Sequence, residues 1–233
     1  LPVYFSTSLI LEMFTGTLNF SGGYMLNKQG FNLWAEDYDQ SVQLSEEKNE
    51  YPFAGYKAIL NAVYNEIMQH SKTEVLEVGI GTGVLAKKLY ENEHVITGVD
   101  FSPKMLEISQ HKMPNAKLLE WDIQQGVPHV LTENNFDFIV STYTLHHLTD
   151  EQKVSFLNEL TPLLKANGKI LIGDISFETS EHLQQCKRKN EKHWDADEFY
   201  FVYDEIMPAL YPTFNIQYEQ ISECGGIYML EMK

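Results

Sequence analysis

The chain reads as an α/β fold on a mostly parallel sheet, and three observations carry that reading. Short apolar runs of strand character alternate with helical patterns along the middle of the chain, from Val75 to Ile172. The first run, Val75-Leu76-Glu77-Val78, leads into three glycines, Gly79, Gly81 and Gly83, and a helical pattern opens directly after them at Val84. A second run, Val95 to Asp100, closes on an acid 21 residues after Gly79. Glycine belongs where a strand turns sharply into a helix and the backbone must approach a ligand with no Cβ in the way. A carboxylate at the tip of the next strand is placed to accept hydrogen bonds from both hydroxyls of a ribose. Together these features point to an adenosine-containing ligand.

The glycine spacing narrows that ligand. Dinucleotide folds use G-x-G-x-x-G/A, so that a helix N-terminus meets a pyrophosphate and helix and strand pack closely. Here the pattern is G-x-G-x-G, Val84 stands where the third glycine or alanine belongs, and no basic residue lies between Gly79 and Ala86. Glu77 and Asp100 suit a ligand that offers hydroxyls and an ammonium group. On these residues the chain resembles the class I S-adenosylmethionine-dependent methyltransferases. The resemblance implies a three-layer Rossmann-like fold: a seven-stranded, mostly parallel sheet with helices on both faces and an antiparallel last strand. It also implies S-adenosylmethionine as cofactor, bound through Glu77, Gly79, Gly81, Gly83 and Asp100.

The following elements come in the order that the resemblance implies. Ser102 is a helix cap with Pro103 at the first helical position. Phe101, next to the ribose acid, is a candidate platform for the adenine face, with a plain core role as the rival. A third strand over 116–120 leads to Asp122 and Ile123. In the resembled family an acid here accepts from the adenine amine, and the next backbone N–H meets the ring. Asp122 is equally suited to cap a short helix. Phe136 to Ser141 is a fourth strand, with Ser141 counted in the cofactor set. Tyr143, His146 and His147 follow at its carboxyl end. Leu163 to Ile172 fits a helix end, a Gly168 turn and a fifth strand. Two segments, Asn215–Ile221 and Ile227–Met232, alternate apolar and polar residues around Gly225-Gly226 and predict an antiparallel pair.

Composition bounds the partners. The 233 residues carry 33 acids against 17 bases, a net charge of −16, and a single arginine, Arg188. Phosphate-rich polymers and anionic membranes are bound through Lys and Arg, so nucleic acid and membrane are not expected as partners and a small-molecule acceptor is. No apolar run approaches the roughly 20 residues of a bilayer span. Two cysteines, Cys186 and Cys224, make no disulfide framework and no zinc spacing, which suits a reducing, cytoplasmic setting. Oligomeric state is not legible.

Residues 1–27 read as an N-terminal extension or poorly specified segment, with no basic stretch ahead of an apolar one to suggest a secretory signal. Residues 28–233 read as a single domain. Trp34-Ala35 and Tyr38-Asp39 form a W-A-x-x-Y-D stretch that in the resembled family packs over the cofactor, so Tyr38 is expected at its methionine end. This start and the Trp194-Asp195 to Phe199-Tyr200 segment resemble a group of small methyltransferases from Gram-positive bacteria. Thr179 to Asn190 reads as a polar helix. Residues 176–212 are expected to form a helical substrate lid, with aromatics that instead pack on the core as the alternative.

Methyl transfer is an in-line displacement, so catalysis can come largely from holding the acceptor in line, with a base needed only where the nucleophile loses a proton. Tyr143 and His146 are the expected catalytic residues at the end of the fourth strand, and His147 is expected to face the core. No metal centre is expected, because no carboxylate lies at metal-ligand spacing near the histidine pair. Two rivals remain at this level. A nicotinamide oxidoreductase lacks its glycine here and has no Tyr-x-x-x-Lys pair. A non-catalytic S-adenosylmethionine-binding regulator would share every cofactor motif.

Overall fold

The computed structural model describes residues 50–233. The expectations for residues 1–27, the Trp34–Asp39 stretch and Tyr38 lie outside these described residues.

The strands are β1 (Glu74–Val78), β2 (Val95–Asp100), β3 (Lys117–Glu120), β4 (Phe136–Thr142), β5 (Leu164–Phe177), β6 (Phe201–Val202), β7 (Phe214–Gln220) and β8 (Gly225–Met232). Seven of them run in the order β3-β2-β1-β4-β5-β8-β7. The first five are mutually parallel, and β8 is antiparallel to both β5 and β7. The expected seven-stranded, mostly parallel sheet is present, with its antiparallel last strand.

One strand was not anticipated. β5 continues beyond its last pairing with β4, at Gly173, and with β8, at Ile175. Its free end is covered by β6, through Ser176 with Phe201 and Phe177 with Val202. The fifth strand also begins earlier than the sequence suggests. The helix end expected at Leu163 is a short 3₁₀ turn, Thr161–Leu163, and the pairing register slips between Phe136 with Leu164 and Phe138 with Lys169. Gly168 sits in that bulge, where a Cβ would come within 2.9 Å of the Phe136 carbonyl oxygen.

Among the described residues, six α-helices lie around the sheet: α1 (Tyr56–Ile67), α2 (Val84–Glu91), α3 (Pro103–Lys112), α4 (Asp150–Leu160), α5 (Ser180–Lys189) and α6 (Tyr203–Leu210). Their starts follow local chemistry. Ser102 Oγ accepts from the Met105 N–H ahead of α3. Thr149 and Gln152 form a reciprocal capping box on α4. Thr179 caps α5 through the His182 N–H.

Alternation along the strands builds two cores. Val75, Phe138, Val140 and Leu171 pack against Leu60, Val63 and Ile67 of α1 and Leu85 and Leu89 of α2. Leu76, Val78, Ile139 and Ile172 pack on the other face against Phe156 and Leu157 of α4 and Ile206 and Leu210 of α6. Within the stretch read as a lid, Phe201, Ile206, Met207 and Leu210 are buried in this second core. Beyond the sheet's carboxyl edge, Tyr51, Phe177, Tyr200 and Trp194 gather in a third cluster, and Tyr51 stacks on Trp194 with centroids 5.1 Å apart.

Leu76 lies fully buried in the central strand. Leu76→Ala is expected to lower the unfolding free energy in urea by about 2–5 kcal/mol. Val95→Ala, at a 58% exposed site on the neighbouring strand, serves as control and is expected to change it by less than about 1 kcal/mol. Equal losses in the two variants would contradict the two-core arrangement.

Candidate functional site

The parallel strands end together at one edge, and a cleft opens there between the turns that follow β1, β2, β3 and β4. The turn after β1 is set by its glycines. Gly79, Gly81 and Gly83 all have positive φ, at 72°, 52° and 74°. Two of them serve different needs. A Cβ on Gly79 would lie 2.1 Å from Thr144 Oγ1, so the loop passes in contact with the end of β4. A Cβ on Gly81 would meet nothing within 4 Å, because that backbone faces the open cleft. The cleft is open to solvent at its mouth, and residues from all four turns line it.

Asp100 fixes the loop from the side. Its Oδ2 accepts from the Gly81 N–H at 2.9 Å and its Oδ1 from the Ser102 N–H at 2.9 Å. Asp100 lines the cleft, and its carboxylate has acceptor capacity beyond these N–H groups. Burial raises its pKa, and the Ser102, Gly81 and Phe101 N–H groups only partly offset that.

Glu77 lies on the α1 side of the same turn. It is buried, with Oε2 lacking a hydrogen-bond partner. Burial pushes its pKa up to about 8, opposed by a hydrogen bond from the Ala86 N–H and assisted by Asp100. A smaller hollow beside Glu77, bounded by Tyr56, Leu60 and Thr82, shares Gly79, Gly81 and Tyr143 with the main cleft.

On the other side of the loop, Phe101, Asp122 and Ile123 all line the cleft. Phe101 is half-buried and belongs to none of the three core clusters. Asp122 caps the 3₁₀ turn Ile123–Gln125, accepting from the Gln124 N–H at 3.0 Å, while facing the same space. Met105, Trp121, Thr142 and Thr144 also line it, and sequence reasoning missed them. Their signal was adjacency to the motif turns. Ser141 is brought elsewhere: it is buried and its hydroxyl donates to the Val78 carbonyl, tying β4 to β1.

The end of β4 reverses one expectation. Tyr143 lines the cleft as expected, with φ +50° and its ring against Phe53 and Tyr56. His147, not His146, lines the cleft beside it. His146 is drawn inward by Asp174, whose Oδ1 lies 2.6 Å from Nδ1 and which also accepts from the Leu145 and Ile175 N–H groups. Burial opposes charge on His146, but Asp174 and Glu198 outweigh it and raise its pKa, while Asp174 is held low. Burial, reinforced by His146, pushes His147 down to about 3. The sequence also offered no carboxylate at metal-ligand spacing from this pair. The fold supplies one, Glu198, which lies 3.6 Å from His146 Nε2.

The donors and acceptors present fit S-adenosylmethionine. The unpartnered Glu77 oxygen is matched to an ammonium, the spare Asp100 lone pairs to ribose hydroxyls, and the open face at Gly81 to close backbone approach.

Glu77 gives a pH signature. Its folded-state pKa of about 8 lies above the ordinary 4.5, so folding takes up a proton between these values and stability falls as pH rises through them. The slope from this one group is up to about 1.4 kcal/mol per pH unit. Glu77→Gln is therefore expected to gain stability relative to wild type progressively from pH 4.5 to 8 in denaturant titrations. A wild-type-to-variant difference that stays flat across that range would mean Glu77 is ionised at neutral pH.

A family model described as a methyltransferase domain matches residues 75–168. An uncharacterized methyltransferase of Anoxybacillus flavithermus is 38% identical over 183 residues, covering 77% of this chain and 83% of the relative. The uncharacterized methyltransferase YrrT of Bacillus subtilis is 32% identical over 197 residues, 84% of this chain and 87% of that one. Among solved structures, DhpI in complex with SAH shares the fold with a TM-score of 0.66 at 14% identity, over 88% of this chain and 94% of DhpI. The magnesium protoporphyrin IX methyltransferase of Synechocystis with bound SAH does so with a TM-score of 0.58 at 13% identity, over 97% and 95%. With the glycine turn and Asp100 in place at the carboxyl edge of this sheet, the chain belongs to the methyltransferase family of these relatives and has the fold of the SAH-bound methyltransferases.

Proposed function

We propose that the protein transfers a methyl group from S-adenosylmethionine to a small-molecule acceptor by in-line displacement. The observation that carries this reading is the single cleft into which the glycine turn, Asp100, Asp122, Tyr143 and His147 all open. The cofactor, when bound, supplies an electrophilic methyl on a sulfonium. Asp100 accepts from the ribose hydroxyls, Asp122 and the Ile123 N–H meet the adenine edge, and Phe101 covers a ring face. Glu77 meets the ammonium, with Gly79, Gly81 and Gly83 shaping the turn beneath. Tyr143 and His147 form the wall that orients the acceptor. His146 acts through its neighbours as a positioning residue, since its ring is held between Asp174 and Glu198.

A small acceptor is supported by the net charge of −16, which disfavours phosphate-rich partners. The described residues contain no helix long and apolar enough to cross a membrane. The aromatic cluster of Tyr51, Trp194 and Tyr200 stands beyond the cleft wall and bounds the acceptor's approach. Residues 180–199 are the part of the expected lid that can serve as one, because the segment after them is core.

Calorimetric titration with S-adenosylmethionine, with NADH as control, tests the cofactor half. Asp100→Ala is expected to weaken binding at least tenfold, about 1.4 kcal/mol, and unchanged affinity would remove the ribose assignment. Incubation with methyl-labelled cofactor and a fractionated small-molecule extract tests the acceptor half. Label is expected in a low-molecular-weight product, in step with S-adenosylhomocysteine release. Label confined to protein or RNA, from a cell lysate offered in parallel, would overturn the acceptor class.

A further inference from the structure

Away from the glycine turn, three ligand-bearing side chains converge at the end of β4. His146 Nε2 lies 3.6 Å and His147 Nδ1 4.0 Å from the same Glu198 oxygen. One ligand atom from each residue falls within 4.8 Å of the other two. Two bonds of about 2.1 Å at a tetrahedral angle hold ligand atoms about 3.4 Å apart, so small rotations of these side chains close the set on one ion. We propose that His146, His147 and Glu198 form a binding site for a divalent transition-metal ion of the Zn²⁺ type, at the acceptor end of the cleft.

The surrounding residues support the set. A metal-ligating histidine commonly gives its other ring N–H to a carboxylate, which fixes tautomer and orientation. Asp174, fully buried, does this for His146, and the Leu145 and Ile175 N–H groups hold Asp174 in place. Nε2 is thereby turned toward Glu198. Glu198 is in turn hydrogen-bonded by the Tyr200 hydroxyl, whose ring packs on Trp194 at 5.0 Å. Lys153, the cation that approaches this region, is occupied by Asp150 at 2.7 Å and by the Phe199 carbonyl. Two imidazoles and one carboxylate favour Zn²⁺-type ions over Mg²⁺ and Ca²⁺, which prefer all-oxygen shells. Three protein ligands leave a position open, as in catalytic rather than structural zinc sites, and His147 puts that position on the cleft wall. An acceptor oxygen or sulfur bound there would be acidified. Metal binding itself does not depend on the methyl-transfer reading.

The test uses tag-free, full-length protein stripped with a chelator, then dialysed to equilibrium against Zn²⁺ in excess Mg²⁺. Metal content is read by atomic emission, and Co²⁺ is used as a visible-absorption probe. One ion per chain is expected, with ligand-field bands in the Co²⁺ form. Glu198→Gln and His147→Ala should each weaken Zn²⁺ binding by at least about a hundredfold, and Asp174→Asn by roughly ten- to a hundredfold. Far-UV circular dichroism establishes that the variants are folded, and Glu198→Gln is nearly isosteric. No saturable uptake by the wild type would overturn the proposal and leave Asp174–His146–Glu198 as a purely ionic bridge. Equal uptake by wild type and the folded variants would also overturn it, assigning the metal to the acidic surface. Because the readout is the metal, either failure leaves the cofactor assignment standing.

Discussion

The carboxyl edge of this sheet depends on how closely the backbone at Gly79 passes the end of β4. Thr144 occupies the space a side chain would need there, and its hydroxyl is turned back on the Thr142 carbonyl. With that contact made, the chain climbs through Gly81 and Gly83 in left-handed conformations and starts α2. Asp100 then secures the turn by accepting from the Gly81 N–H, and Ser109 Oγ secures it again by donating to the Gly81 carbonyl. β1, β2, β4 and α3 thus meet through one short stretch of backbone. A change at Gly79 would alter turn and β4 terminus together, although they lie far apart in sequence.

That same stretch concentrates unneutralised acid. Glu77 and Asp100 are both buried, both with raised pKa, and the groups that contact them are backbone N–H groups rather than Lys or Arg. Burying carboxyl groups so is costly in isolation. It is consistent with a ligand that brings its own donors and a positive charge. A phosphate-bearing cofactor would bring no such positive charge. The chemistry distinguishing this turn from a dinucleotide turn is thus electrostatic as well as steric.

Local rules made much of this readable from sequence. The glycine turn, Asp100, the Ser102-Pro103 start of α3 and the Thr179–Asn190 helix each rest on residues within a few positions of one another, and each is found. The two closing strands declared themselves by alternation. What escaped depended on tertiary neighbours. β6 exists because β5 outruns the strands beside it, and no pattern in Phe201-Val202 announces a partner. Trp121 and Thr144 enter the cleft because of how strands β3 and β4 end. Ser141, one residue from a cleft-lining threonine, points to β1 because adjacent strand residues face opposite sides.

The histidine pair illustrates this limit best. Adjacent residues diverge, so one ring had to face inward, and sequence offered no means of choosing which. The choice is made by Asp174 on β5, which sits fully buried beside the end of β4 and accepts from Nδ1 of His146. An ionised aspartate there, without a partner, would be untenable in so dry a place. Its need for a cationic or donor neighbour pulls His146 in and leaves His147 on the wall. Glu198 arrives from a segment after α5 and faces both rings, held by Tyr200, which belongs to the aromatic cluster with Tyr51 and Trp194. The histidine end is therefore assembled from β4, β5, the α5–β6 segment and the segment before α1. The cofactor end is written largely in one turn and the strand beside it.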